Sequence, residues 1–294
     1  MASELRIDER PSLSRPVLVI AFRGWNDGGQ GASLAVEHLV KTWDAERFAD
    51  IDPEAFFDFQ ATRPRVSLVE GVTRRIDWPD NVFLQAHIGG ERDAVVLLGN
   101  EPNLRWRTFT EIVVELARDL GVELVVTLGA LLADVPHTRP SPVTGAGSDP
   151  ELVERMGLQA SRYEGPTGIV GVLHDACREA GIPSVSLWAA VPHYVSLAPS
   201  PRAALALCER LATILDTPID VTELEGMVDD YTTHVSEAVS SDEDAVAYVD
   251  ELEQRADLIE ESDLPSGDSL AAELTRFLRE REEGEEPPDV AREQ

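Results

Sequence analysis

The first 221 residues alternate short apolar runs with longer amphipathic stretches, and this alternation limits the fold more than any other feature. The apolar runs are rich in β-branched residues and predict strands at 17–22, 81–88, 94–98, 124–128 and 184–190. Helices are predicted between them, at 30–43, 105–120, 167–180 and 202–215. Several runs are apolar throughout, which indicates strands covered by helices on both faces. We therefore expect an α/β fold, with a three-layer αβα core around a mixed, mostly parallel sheet.

Charge divides the chain near residue 221. The whole chain has 55 Asp and Glu against 25 Lys and Arg, a net charge of −30. Residues 222–294 carry 24 of the acidic residues and five arginines, and apolar residues recur there at helical spacing. The sequence therefore predicts a core domain at 1–221 with a flexible segment at 1–14, an acidic helical extension at 222–282 and a disordered tail at 283–294.

Two stretches of the core domain interrupt the alternation. Residues 58–78 contain apolar runs broken by Arg-Pro-Arg and Glu-Gly, which favours a hairpin on one edge of the sheet. Residues 134–150 contain four prolines and two glycines, typical of a long loop that forms a functional rim or a subunit contact. Asp149 and Pro150 predict the start of a further helix.

Composition excludes several classes of function. An acidic protein repels phosphate groups, so we expect binding neither to nucleic acid nor to a membrane surface. Lys41 is the only lysine and lies in no phosphate-binding motif. Cys177 and Cys208 are too few for a disulfide framework and are predicted to be core residues. The sequence shows no signal peptide and no apolar stretch of membrane-spanning length, so the expected location is cytoplasmic.

A glycine-rich turn joins the first long predicted strand to the first predicted helix. Within it, Gly28, Gly29 and Gly31 can present backbone N–H groups to an anion at the helix N-terminus, and Asp27 is a candidate acid or base. The turn matches neither the dinucleotide-binding spacing nor that of the P-loop. A structural need for positive φ angles and close helix packing explains the glycines equally well.

A second polar loop follows the predicted strand at 94–98. Ligands of open α/β sheets bind at the carboxyl ends of parallel strands, so Asn100, Glu101 and Arg105 lie near the glycine-rich turn if the two strands are neighbours. This group can clamp a ligand, or it can form a structural ion pair that fixes the loop.

Two histidines follow the last two predicted strands. His137 and His193 can form an acid/base pair, and Arg139 beside His137 can hold an anion. The alternative is that both histidines only hydrogen-bond the backbone or an interface. No third metal ligand lies at a recognised spacing, so we expect neither a metal nor a cofactor. His174 and Cys177 share a helix face, but no third group orients them as a nucleophilic pair.

Five spaced motifs together resemble the proteasome assembly chaperone 2 family, in particular its actinobacterial branch. They are FRGWNDGGQGAS, LGNEPNLRW, TLGALLADVPHTRP, YEGPTGIVGVL and LWAAVPHYV, and the resemblance extends over about residues 15–231. It implies an architecture like that of purine nucleoside phosphorylases, a homo-oligomer such as a trimer, and proteasome subunits as partners. It implies no demonstrated catalytic activity. Relatives dock on the proteasome through a C-terminal hydrophobic-Tyr-any tripeptide, whereas this sequence ends Arg292-Glu293-Gln294.

Two functional hypotheses follow. The first is a non-catalytic binding or assembly protein, related to the proteasome. The second is a small-molecule enzyme or sensor that holds an anion in the crevice at the strand ends. In the second hypothesis Gly28, Gly29, Gly31, Asn100, Arg105 and Arg139 bind the ligand, and Asp27, Glu101, His137 and His193 are the acid/base candidates.

Overall fold

The computed structural model describes residues 4–69, 73–147, 153–154, 156–158, 164–195 and 197–261. The strands are β1 (Leu5–Ile7), β2 (Val17–Arg23), β3 (Glu46–Ile51), β4 (Arg65–Val69), β5 (Thr73–Asp77), β6 (Asn81–His87), β7 (Asp93–Asn100), β8 (Leu124–Ala133), β9 (Val143–Gly147) and β10 (Ser184–Pro192). The helices are α1 (Gly31–Thr42), α2 (Trp106–Asp119), α3 (Ile169–Ala180), α4 (Pro201–Leu215), α5 (Thr222–Val239) and α6 (Glu243–Glu261).

One mixed sheet holds eight of the strands, in the order β1-β3-β6-β7-β2-β8-β10-β9. Its centre, β7-β2-β8-β10, is parallel, and antiparallel strands flank it on both sides. The register places Arg23 of β2 beside Asn100 of β7, so the two polar loops leave the sheet side by side. The predicted mixed sheet is confirmed, with five of the eight strands running in one direction.

The side chains of β2 show why the sheet lies between two helical layers. Val17, Val19 and Ala21 face one side and pack with α1 and α4. Leu18, Ile20 and Phe22 occupy the alternate positions, so they face the other side and pack with α2 and α3. All six are at most 1% exposed, so both faces are buried. The three-layer αβα prediction is confirmed.

Three strands of the sheet, β3 and the two edge strands β1 and β9, were not predicted. β1 lies in the N-terminal segment that we expected to be flexible, and it pairs with β3. β9, of sequence VTGAG, lies within the predicted loop at 134–150 and pairs with β10. Both are edge strands, where pairing with a neighbour decides the conformation more than side-chain pattern does. The helix start at Asp149 and Pro150 lies outside the described residues.

The 58–78 stretch does form a hairpin, as predicted. Among the described strands, β4 and β5 pair only with each other and make a separate two-stranded sheet, not an extension of the main sheet.

The acidic C-terminal helices α5 and α6 pack against the αβα core. On α5 the apolar stripe Leu224, Val228, Tyr231 and Val235 is buried. On α6 the buried residues are Val249 and Leu252. The sequence from 262 onward, including the predicted tail at 283–294, lies outside the described residues. Among the residues that the structure describes, none of the helices combines the length and apolar character needed to cross a membrane.

Candidate functional site

An open cleft of about 510 Å³ lies at the carboxyl ends of β2 and β7. This is the position at which open α/β sheets bind ligands. Two indoles, one guanidinium, one carboxylate and several short polar side chains form its wall. The lining residues are Arg23, Gly24, Trp25, Thr62, Asn100, Glu101, Pro102, Asn103 and Trp106.

Glu101 is the central polar residue of this cleft. Its Oε1 accepts hydrogen bonds from Asn26 Nδ2 and from the Ile169 backbone N–H, each at 3.0 Å. Its Oε2 accepts from the Trp25 backbone N–H at 3.3 Å. The carboxylate therefore joins the glycine-rich turn after β2 to the first residue of α3. The expected proximity of Glu101 to this turn is confirmed, because β2 and β7 are neighbours.

Asn26 completes this junction and was not singled out from the sequence. It is 1% exposed, and its Oδ1 has no hydrogen-bond partner within the described part of the chain. Gly168 lies directly against it, since a Cβ built on Gly168 would meet Asn26 Oδ1 at 2.7 Å. The contact between the two loops therefore requires a residue without a side chain at position 168.

Asp27 caps helix α1. Its Oδ1 accepts hydrogen bonds from the Ala32 and Ser33 backbone N–H groups, and its Oδ2 accepts from the Ser33 hydroxyl at 2.6 Å. Burial raises the pKa of Asp27, while these donors oppose that change. The helix cap occupies the carboxylate oxygens, which favours the structural role over the acid/base role.

The glycines of the turn allow close packing. Gly29 has a φ of +55°, and a Cβ on Gly31 would lie 2.7 Å from the Cβ of Ala203 in α4. A Cβ on Gly28 would meet the backbone of Ala130 and Leu131 in β8. The packing accounts for all three glycines, as the structural alternative expected.

Arg105 and Asn100 lie differently relative to the cleft. Asn100 lines it, whereas the Arg105 guanidinium forms an ion pair with Glu4 at 3.0 Å and stacks over the Phe56 ring. Arg23, which was not proposed as a ligand-binding residue, is the cleft's arginine, and it pairs with Glu37 at 2.6 Å.

His137 and His193 belong to a second polar group, at the ends of β8 and β10. Tyr194 lies between them, with ring centroids 5.9 Å from each histidine. The Tyr194 hydroxyl is 2.8 Å from His137 Nδ1, and His137 Nε2 is 3.0 Å from the Ser236 hydroxyl of α5. Burial, reinforced by the positive charge of Arg202, lowers the pKa of His137. His137 therefore belongs to a network that joins the loops after β8 and β10 to α5, and the direction of its pKa change favours the neutral ring.

Helix α6 covers this second group. His193 Nδ1 is 3.0 Å from Asp134 Oδ1, and the Tyr248 hydroxyl of α6 donates to the same oxygen at 3.1 Å. Arg139 binds Asp257 through two parallel hydrogen bonds of 2.8 and 3.1 Å and lies 3.4 Å from a Glu253 oxygen. Arg139, a predicted ligand-binding residue, thus holds α6 against the domain.

The predicted acid/base residues consequently fall into two groups. Glu101 lies in the cleft, Asp27 caps α1 beside it, and His137 and His193 lie beneath α5 and α6. Burial raises the pKa of Cys177 to about 11, and the ring of its helix neighbour His174 is hydrogen-bonded to Thr127 and Ser184, so these two residues are structural. Within the described residues, no three His, Cys, Asp or Glu side chains are grouped so as to hold a metal ion.

Comparison with known proteins gives a consistent assignment. The model of the PAC2 family matches residues 21–239. A PAC2 family protein from Streptomyces avermitilis is 50% identical with a TM-score of 0.74, over 80% of this chain and 99% of that chain. A proteasome-assembly chaperone homologue from Mycobacterium tuberculosis is 45% identical with a TM-score of 0.73, over 79% and 99% of the two chains.

More distant structures share the fold. The archaeal proteasome activator PbaB from Pyrococcus furiosus is 17% identical with a TM-score of 0.64, over 80% of this chain and 97% of that chain. No curated protein matches the chain. The resemblance found in the sequence motifs is confirmed, and the chain belongs to the PAC2 family.

Proposed function

We propose that the chain is a non-catalytic assembly protein that binds a proteasome-related partner in the cytoplasm and acts as a homo-oligomer. Membership of the PAC2 family supports this proposal, as does the likeness to a mycobacterial proteasome-assembly chaperone homologue.

The main support for the proposal is that the candidate catalytic side chains form structural hydrogen bonds. Asp27 caps a helix, Glu101 joins two loops, and His137 connects a strand end to α5. A general base needs a lone pair that can reach a substrate proton, and a nucleophile needs a base beside it. These side chains form hydrogen bonds within the protein, which suits a rigid binding scaffold.

Native mass spectrometry of the full chain with purified proteasome α and β subunits tests the proposal. We expect a complex of defined stoichiometry that an unrelated protein of similar net charge does not form. That control matters because the charge of −30 attracts basic proteins without specificity. If neither subunit type forms a specific complex with the chain, the proposal fails.

The cleft supports a second candidate function, a sensor of a small molecule. It is open, it lies at the ligand position of α/β sheets, and Trp25 and Arg23 line it beside Glu101. Arg23 is the arginine that lines this cleft, so Arg23→Ala tests whether an anion binds there. If inorganic phosphate raises the melting temperature of the parent but not that of Arg23→Ala, the result favours this function. If phosphate shifts the melting temperature of both proteins equally, or of neither, phosphate does not bind in the cleft.

A further inference from the structure

The β4–β5 hairpin exposes an apolar face to solvent. Val66 and Ile76 are directly opposite one another, and Leu68, two residues after Val66, lies on the same face. Trp78 directly follows β5, at the other end of the hairpin. Val66 is 63% exposed, Leu68 62%, Ile76 53% and Trp78 50%. We refer to these four side chains as the hairpin patch.

Water is a poor environment for this hairpin. A two-stranded sheet alone is at best marginally stable, and β4 and β5 pair with no other strand in the described part of the chain. Each strand thus also has an edge of unpaired backbone groups. The ring contact between Trp78 and Phe59, at 4.8 Å, joins the base of the hairpin to the preceding segment. Contiguous apolar surface rimmed by polar residues is typical of a protein-binding face.

The hairpin is also basic, unlike the chain as a whole. Arg63, Arg65 and Arg74 are exposed, and none of them forms an ion pair with another described residue. Arg74 lies on the face of the hairpin patch, directly opposite Leu68, whereas Arg65 lies on the other face, where Arg75 pairs with Asp77 at 2.6 Å. Residues 61–78 carry four arginines against Glu70 and Asp77, whereas the whole chain has a net charge of −30. A partner that suits this hairpin is therefore acidic and offers apolar contact.

The chain itself presents such a surface on α5 and α6. Residues 222–261 contain 14 acidic residues and one arginine. The carboxylates of Asp230, Glu237 and Asp250 are exposed and have no cationic partner among the described residues. Val246 on α6 is also exposed, at 37%, and adds apolar surface.

We propose that the hairpin patch docks on the acidic α5–α6 surface of a second copy of this chain. Each copy donates one hairpin and receives one, and such a head-to-tail contact forms a ring of two or more copies when the rotation between neighbours closes. Burial of the patch removes apolar surface from water, and the arginines around it select the acidic helices. This inference rests on the self-association in the proposed function, and its test uses this chain alone, so it stands or fails independently of proteasome binding.

Sedimentation velocity of the full chain gives the first test. We expect the parent protein to form an oligomer and Leu68→Ser/Ile76→Thr to raise its dissociation constant at least about tenfold. The matched control is Leu104→Ser/Leu197→Ser, which removes two side chains of similar exposure outside the patch and should leave the oligomer unchanged. Unaltered melting of the domain by circular dichroism shows that the patch variant still folds.

Charge reversal identifies the receiving surface. One variant, Arg63→Glu/Arg65→Glu/Arg74→Glu, makes the hairpin acidic and should be monomeric by repulsion from the acidic helices. The other variant, Asp230→Arg/Glu237→Arg/Asp250→Arg, lowers the net charge of residues 222–261 from −13 to −7 and places three guanidinium groups on the receiving surface. It should be monomeric because these groups repel the arginines of the hairpin.

Mixing these two monomeric variants should restore assembly. Wherever the two variants are neighbours, the acidic hairpin meets the introduced arginines and the basic hairpin meets acidic helices. A ring with an even number of copies restores every contact, and a ring of three restores two contacts of three. Three results would overturn the proposal: a monomeric parent, an oligomer that the patch substitutions leave intact, or variants that stay apart when mixed. A monomeric parent whose patch substitutions abolish proteasome binding would assign the hairpin to that partner instead.

Discussion

At the residue scale, the polar side chains near the strand ends act mainly as connectors between loops and helices. Glu101 illustrates this role, because one carboxylate receives N–H groups from the turn after β2 and from the start of α3. The sequence placed Glu101 beside the turn, since neighbouring parallel strands end at the same edge. It did not place the partners of Arg105 and Arg139, because Glu4 and Asp257 lie about 100 residues away in sequence.

Replacement of Glu101 should destabilise the protein. Glu101→Ala leaves the Ile169 and Trp25 N–H groups without their acceptor, and we expect a loss of about 2 to 3 kcal/mol in the free energy of unfolding. Glu101→Gln retains one carbonyl oxygen and should lose less. Chemical denaturation measures both, and Glu115→Ala on the exposed side of α2 is the control. An Ala variant as stable as this control would contradict the connecting role.

His174 should make stability depend on pH. Burial lowers its pKa from 6.5 to about 4, so the folded protein holds this ring neutral. Above pH 6.5 the ring is neutral in both states and contributes no pH dependence. Between pH 6.5 and 4 only the unfolded state takes up the proton, so the free energy of unfolding falls by about 1.4 kcal/mol per pH unit.

Chemical denaturation across this pH range checks the prediction. In His174→Gln the free energy of unfolding should change less with pH, by about 1.4 kcal/mol per pH unit. The exposed His234→Gln should show the same pH dependence as the parent. Equal slopes for parent and His174→Gln would show that this ring does not carry the dependence.

At the scale of secondary structure elements, apolar pattern was sufficient where both faces of a strand are buried. β2, β7, β8 and β10 were predicted for that reason, and the helices that cover them were predicted from their amphipathic pattern. β6 was also predicted from its apolar run, although it is only partly buried. β9 was not, because its sequence VTGAG carries no apolar alternation and its conformation comes from pairing with β10. The same limit applies to the cluster of His137, Tyr194 and Tyr248, which forms only when α6 folds back on the domain.

Two glycine-to-alanine substitutions should have opposite effects. A Cβ at Gly31 meets Ala203 of α4 at 2.7 Å, so Gly31→Ala should lower the free energy of unfolding by about 1 to 3 kcal/mol. Gly226 lies within α5, and nothing is near a Cβ built there, so Gly226→Ala should raise it by about 0.5 to 1 kcal/mol. Thermal and chemical denaturation measure both, and effects of the same sign would contradict this packing.

The attachment of α6 should depend on Arg139. Its guanidinium binds Asp257 through two hydrogen bonds and contacts Glu253, so Arg139→Ala should speed amide hydrogen exchange in α6 by roughly tenfold. Exchange in β2 and β8 should not change. Arg255→Ala is the matched control, because Arg255 pairs with Glu251 within the same helix. Equal protection of α6 in both variants would refute this role of Arg139.

At the scale of the whole molecule, excess negative charge opposes the compact state. A net charge of −30 in 294 residues produces repulsion that added salt screens. We expect the melting temperature to rise by about 2 to 4 °C between low and physiological sodium chloride. Sucrose at matched osmolality is the uncharged control. A melting temperature that falls with sodium chloride would show that ion pairs such as Lys41 with Glu223 outweigh the repulsion.

The position of α6 relative to the family match has a final consequence. The family match ends at residue 239, the last residue of α5, so α6 lies beyond the matched region. Helix α6 nevertheless contacts Asp134, Arg139 and His193, which lie within that region. A family member without this helix would leave the ends of β8 and β10 open to another protein. In this chain α6 occupies that surface, so any partner that binds there must first compete with a helix tethered to the same polypeptide.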